Sequence, residues 1–131
     1  MAKILRFEDI QIWQSGRELT KQIYRLSGSK KFSTDFALRD QIRRACISIT
    51  SNIAEGFDAR SNPEFIRFLN YSRRSVSEVK NQLYVALDEE YVTPEEFRRL
   101  YDDAANISRM ILGFIRYLRI SNIRRKTDEE D

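Results

Sequence analysis

The sequence predicts an all-α fold, an antiparallel up-and-down four-helix bundle, and three observations carry that reading. Four long segments repeat apolar residues at spacings of three and four. Four Gly and two Pro among 131 residues leave little of the punctuation that a β-sandwich needs. The connections between segments are short, which makes successive helices antiparallel neighbours. The length suits one domain over 1–131, able to bury a core without help from metal or disulfide.

The first helix is expected at about 10–27, where Ile12, Leu19, Ile23 and Leu26 share a face, with Asp9 as N-cap and Gly28 as the stop. A polar connection, Ser29 to Ser33, leads into a second helix at about 35–55 carrying Leu38, Ile42, Ala45, Ile49 and Ile53. Gly56 is expected to end it in left-handed geometry. Asn62-Pro63-Glu64 opens a third helix, about 63–90: Asn caps free amides, Pro loses nothing at the first position, and Glu suits the positive end of the dipole. Phe65, Leu69, Val76, Val79, Leu83 and Leu87 hold one face of a rod about 40 Å long. Thr93-Pro94-Glu95-Glu96 is a capping box that starts the fourth helix, about 94–120. There Phe97, Leu100, Ala104, Ile107, Ile111, Phe114 and Leu118 form the seam of a left-handed bundle with crossing angles of about +20°. The tail over 127–131, acidic from Asp128 onward, reads as a solvated end.

Composition excludes several chemistries. Without any histidine the chain lacks the usual general base near neutral pH and the commonest metal ligand, so Ser-His-Asp and Cys-His catalysis and the Glu-x-x-His pairs of di-metal bundles are ruled out. One cysteine cannot build a multi-thiolate zinc site, and no Gly-rich phosphate loop is present. No cofactor, metal or small-molecule substrate is predicted. Cys46 reads as a buried thiol in a reducing compartment, hence a cytoplasmic protein. No apolar run nears the roughly 18 residues of a membrane span, and Met1 to Arg6 lacks the apolar core of a signal peptide, so no membrane partner is expected.

Glu89-Glu90 and Glu95-Glu96 flank one turn without the spacing of a calcium loop, and helix capping with solvation accounts for them. Asn52, Glu55 and Gly56 form a polar end to the second helix, expected to anchor the following loop rather than to catalyse. Net charge is only +3 with a pI of about 9.1, but it is unevenly spread. Acids dominate Asp88 to Asp103, and bases alone (Arg116, Arg119, Arg124, Arg125 and Lys126) fill 116–126. Arg39, Arg43 and Arg44 lie off the second seam, and Arg60, Arg67, Arg73 and Arg74 follow on the loop and third helix. Two readings stand. These arginines are candidate phosphate ligands of a nucleic-acid surface, or a solvated face paired with Asp40, Glu64 and Glu78. The run at 116–126 is a second candidate with the same alternative.

Large apolar residues are also left off the seams. Trp13 and Tyr24 flank the first, Ile47 points away from Ile42 and Ile49, and Met110 and Tyr117 stand apart from the Phe97–Ile111 stripe. A second apolar surface, and therefore self-association, is expected; scattered exposure of single residues is the alternative.

Gln41-Ile42-Arg43-Arg44-Ala45 followed by Ser48-Ile49-Thr50-Ser51-Asn52-Ile53-Ala54-Glu55-Gly56 resembles the signature of a family of four-helix bundles. The family is named for proteins encoded in intervening sequences of bacterial 23S ribosomal RNA genes. Phe7-Glu8-Asp9-Ile10 with Trp13, Ile23-Tyr24, Glu64-Phe65, Phe68-Leu69, Ser75, Glu78, Gln82-Leu83 and Ala86 support the likeness, which spans Phe7 to Leu118. Arg74 stands where the family pattern carries Gly before the helical serine. The resemblance implies an antiparallel bundle assembled as a pentamer, a basic surface and no established enzymatic activity. The chain is also similar to accessory proteins of diversity-generating retroelements, pentameric bundles that bind a reverse transcriptase and nucleic acid. The function expected is a non-enzymatic homo-oligomer that binds RNA or a ribonucleoprotein through its arginines. The alternative is a scaffold for a neighbouring enzyme, such as a reverse transcriptase, without direct nucleic-acid binding.

Overall fold

The computed structural model describes residues 4–120; the acidic tail and Arg124, Arg125 and Lys126 lie outside the described residues. A 3-10 turn at Phe7–Asp9 precedes α1 (Gln11–Ser27), and a second at Phe32–Thr34 leads into α2 (Phe36–Asp58). Helices α3 (Asn62–Asp88) and α4 (Pro94–Ile120) complete a four-helix bundle, with no strand among the described residues.

The helix ends follow local chemistry; Gly28 ends α1 as expected, and three other ends differ from expectation. Asp9 does not cap α1: it sits in the 3-10 turn and faces Arg6 at 3.6 Å, and Ile10 takes the N-cap position with no side-chain cap. Gly28 ends α1 with φ −89°, so its freedom at positive φ is unused; Lys30 takes the left-handed turn instead, at φ 47°. Asp35 caps α2 by accepting from the Leu38 amide at 3.1 Å, and α2 runs on through Gly56 to Asp58. Ser61, not Asn62, caps α3 by accepting from the Glu64 amide, and the Asn62 side chain donates through Nδ2 to the Leu118 carbonyl at 2.9 Å across the bundle end. The capping box of α4 forms as read: the Thr93 amide donates to Glu96 at 2.8 Å, and the Glu96 amide to the Thr93 hydroxyl at 3.0 Å.

Each helix packs on the next and α4 closes against α1, so the four surround one apolar cluster. The α1–α4 seam is the thinnest and α2–α3 the most extensive. Antiparallel register shows in side chains that meet head to tail, Phe65 against Phe114 and Tyr84 against Phe97 on α3 and α4. Leu19, Ile23, Ile42, Ile49, Ile53, Phe65, Leu69, Leu83, Leu100, Ile107 and Ile111 are fully buried, each stabilising by about 1.5–3 kcal/mol. On α4 the seam turns toward Ile115, which is buried, while Phe97 and Phe114 are only half-buried on its flanks.

Close approach of α2 and α3 is what Gly56 permits. A Cβ built there would lie 2.6 Å from Phe65 Cδ1 and 2.9 Å from Phe68 Cβ. Ser72, Ser75 and Asn52 at this seam bond within the bundle. Ser72 donates to the Ile49 carbonyl and Ser75 to the Ser48 hydroxyl, both at 2.8 Å. Asn52 donates to the Ser48 carbonyl at 2.8 Å, so it bonds back within α2 rather than to the following loop, and Glu55 is exposed.

Candidate nucleic-acid interface

The seven arginines of the central region do not act as one set, because two are spent on the fold. Arg43 crosses from α2 to the end of α1, where Nε donates to Ser27 Oγ at 2.8 Å and Nη2 to the Tyr24 carbonyl at 3.2 Å. Its guanidinium also lies 4.4 Å from the centre of the Tyr24 ring. This caps the end of α1 from a neighbouring helix: the Tyr24 carbonyl, which already accepts from the Gly28 amide at 3.1 Å, gains a second donor, and positive charge sits at the negative end of the helix dipole. Arg39 bonds the Ser33 carbonyl at 3.2 Å and Asp40 at 3.0 Å, and lies over Phe36. Both fix the α1–α2 connection.

The other five are differently placed. Arg44, Arg60, Arg67 and Arg74 are exposed and Arg73 is half-buried. Among the described residues Arg44, Arg60, Arg73 and Arg74 form no ion pair, and Arg67 reaches Glu64 only at 3.9 Å. An exposed pair so loosely held contributes little. Of the carboxylates expected to neutralise this face, only Asp40 is tightly engaged, and by Arg39.

Helical spacing places Arg67, Tyr71 and Arg74 on one outward face of α3, three and four residues apart. Tyr71 is 38% exposed. Arg67 lies 5.7 Å from the Phe68 ring centre and Arg74 lies 5.6 Å from that of Tyr71, with the two rings edge to face at 6.0 Å. Beside them Asn70, Arg73, Arg74 and Ser77 of α3 and Ser108 of α4 line a cleft of about 300 Å³. None of these five residues is acidic. The Nε of Arg73 is buried there and has no hydrogen-bond partner.

The five apolar residues expected at an oligomer interface are dispersed. Met110 and Tyr117 are half-buried against the core and line one groove with Ile4, Ile10, Ile12 and Phe114, between α4 and the start of α1. Trp13 stands on the other side of α1, edge to face with Phe7 at 5.1 Å and bordering a groove with Arg17, Lys21 and Thr50. Tyr24 and Ile47 are 40% and 45% exposed. Two aromatic groups extend beyond the expected seams. One is the Phe68–Tyr71 pair, whose spacing of three was its available signal. The other joins Tyr84, 49% exposed, to Phe97 and Tyr101 at 4.8 and 5.6 Å across α3 and α4. Phe97 and Tyr101 stand four apart on α4, but Tyr84 joins them from α3 only once the helices pack.

Cys46 is fully buried, and desolvation pushes its thiol up to about 12, which removes it from nucleophilic chemistry. Among the described residues no group of three or more Asp, Glu or Cys is placed to hold a metal ion. No described helix is long and apolar enough to cross a membrane.

Comparison with known proteins agrees with this architecture. A crystal structure of a protein of unknown function from the S23 ribosomal protein family of Bacteroides thetaiotaomicron is 25% identical, with a TM-score of 0.73. The likeness covers 79% of this chain and 97% of that one. No curated protein matches the chain. The family model for the 23S rRNA-intervening sequence protein matches residues 8–113. With four-fifths of its length under that match and the bundle packed as the solved relative's fold requires, the chain belongs to the 23S rRNA-intervening sequence protein family.

Proposed function

We propose that this protein is a non-enzymatic, self-associating bundle that binds RNA, or the RNA of a ribonucleoprotein, through the arginines of α3 and its approaches. The observation that carries this reading is the division of labour among the arginines. Arg39 and Arg43 are engaged by the fold, whereas among the described residues Arg44, Arg60, Arg73 and Arg74 form no ion pair and Arg67 only a loose one. Unpaired guanidinium groups beside exposed rings suit a phosphate backbone whose bases reach aromatic surface. The absence of histidine and the inert thiol of Cys46 support a binding role over a catalytic one. Exposed Tyr24, Ile47, Tyr84 and Val85 support self-association, for which the family resemblance implies five copies.

The test is fluorescence anisotropy with a labelled RNA, comparing the wild type with a triple Arg67→Gln, Arg73→Gln, Arg74→Gln variant of unchanged helicity. The reading expects the variant to lose most of its affinity; equal affinity refutes it. A second reading, a scaffold for a neighbouring enzyme such as a reverse transcriptase, draws support from the Tyr84–Phe97–Tyr101 cluster, in which Tyr84 is exposed. Absorbance at 260 and 280 nm separates the two: protein purified free of nucleic acid but with a bound polypeptide favours the scaffold.

A further inference from the structure

Resting on that reading, we propose that Tyr71, Arg73 and Arg74 form a nucleotide subsite that selects single-stranded over double-stranded RNA. A phosphate occupies the cleft between α3 and α4, and the adjoining unpaired base stacks on the Arg74–Tyr71 layer.

The cleft has the chemistry of an anion site. Its five lining residues offer two guanidinium groups, an amide and two hydroxyls, with no carboxylate to compete. The Arg73 guanidinium is already partly desolvated, its Nε buried without a partner, so an acceptor at its terminal nitrogens is held in a less polar setting than open water. Ser108 closes the far wall from α4, so the site depends on the packed bundle and not on α3 alone.

The stacking element adjoins it through one residue. Arg74 both lines the cleft and lies 5.6 Å from the Tyr71 ring centre. Residues three apart on a helix stand about 5–6 Å from each other at Cβ, the scale on which a phosphate and its own base are separated. Phe68 meets Tyr71 edge to face at 6.0 Å and braces the ring, which remains 38% exposed. An aromatic ring or a guanidinium plane stacks on any base whose face is free. In a duplex those faces are occupied by neighbouring pairs, so the site reads single strands, and does so without sequence preference.

Anisotropy titrations with a labelled ten-nucleotide uridine RNA, and with an RNA duplex of the same length, test the inference. Variants Tyr71→Leu, Tyr71→Phe and Arg73→Gln are measured alongside, with circular dichroism confirming helicity. The wild type is expected to prefer the single strand by at least about tenfold. Tyr71→Leu is expected to lose roughly tenfold on the single strand and nothing on the duplex, while Tyr71→Phe keeps wild-type affinity. Arg73→Gln is expected to weaken binding and lower the salt slope on the single strand by about 0.7. Equal affinity for both RNAs with no effect of Tyr71→Leu overturns the subsite while leaving RNA binding intact. Failure of the wild type to bind either RNA overturns the subsite and the proposed function together.

Discussion

Replacing Gly56 by alanine is expected to destabilise the bundle even though alanine is the better helix former. Gly56 lies inside α2, and there the exchange should gain about 1 kcal/mol of helix propensity. Against this, the added Cβ would sit 2.6 Å from Phe65 Cδ1 and 2.9 Å from Phe68 Cβ, well inside the 3.4–4 Å of ordinary contact. Neither neighbour can give way cheaply. Phe65 is fully buried and held edge to face by Phe57 at 6.4 Å and Phe114 at 5.5 Å, and the Phe68 Cβ is tied to the α3 backbone. The helices must separate, an overpacking cost of about 1–3 kcal/mol, so after the propensity gain of about 1 kcal/mol the expected net loss is up to about 2 kcal/mol. At this chain length a loss of that size lowers the melting temperature by up to roughly 8 °C. Gly113 is the control, because a Cβ there meets nothing within 4 Å; Gly113→Ala should raise the midpoint by roughly 2–4 °C. Thermal melts followed by circular dichroism decide the matter. If Gly56→Ala rises as Gly113→Ala does, close helix contact is not the reason for the glycine.

Arg43→Ala should cost about 1–3 kcal/mol by removing the cap from the end of α1, and Arg43→Lys should recover little of it, since an ammonium cannot reach Ser27 and Tyr24 as a fork. RNA affinity per folded molecule should be unchanged, which binding curves on the folded fraction would check. Cys46 should resist a maleimide at pH 8 in the native state and react fully in denaturant, because its thiolate forms only near pH 12. Fast native labelling would contradict its burial. The Tyr91 hydroxyl donates to Asp35 at 3.0 Å, and this bond, with smaller contributions from desolvation and the nearby Asp35 and Glu89 charges, raises its pKa. The folded state therefore favours the neutral phenol: the stabilisation is complete below the unfolded pKa of about 10 and lost as pH rises through the higher folded value. Tyr91→Phe should be less stable than wild type at pH 8, with the gap closing at alkaline pH in denaturant titrations.

The sequence disclosed the parts of the fold that depend on periodicity and on local capping. The α4 capping box was legible because both of its partners lie within four residues, and α4 itself occupies the span expected. Where an outcome depends on a distant helix, local reading failed. Gly56 looks like a helix stop until Phe65 and Phe68 are brought against it, and Asn62 looks like a cap until Leu118 arrives from the far end of α4. The arginine cluster shows the same limit: sequence spacing grouped Arg43 with Arg44, yet one turns inward to α1 and the other faces solvent. The cleft between Arg73 and Ser108 was invisible for the same reason, since its walls are 35 residues apart and only antiparallel packing joins them.

The central claim, that unpaired arginines hold RNA by its phosphates, is tested most directly by the salt dependence of binding. For single-stranded RNA the slope of log K against log salt is about −0.7 per phosphate neutralised. Four or five free arginines therefore predict a slope of roughly −3 for the wild type, shallower by about 1.4 in an Arg73→Gln, Arg74→Gln variant. A slope near zero, or one that the double substitution leaves unchanged, would contradict the account.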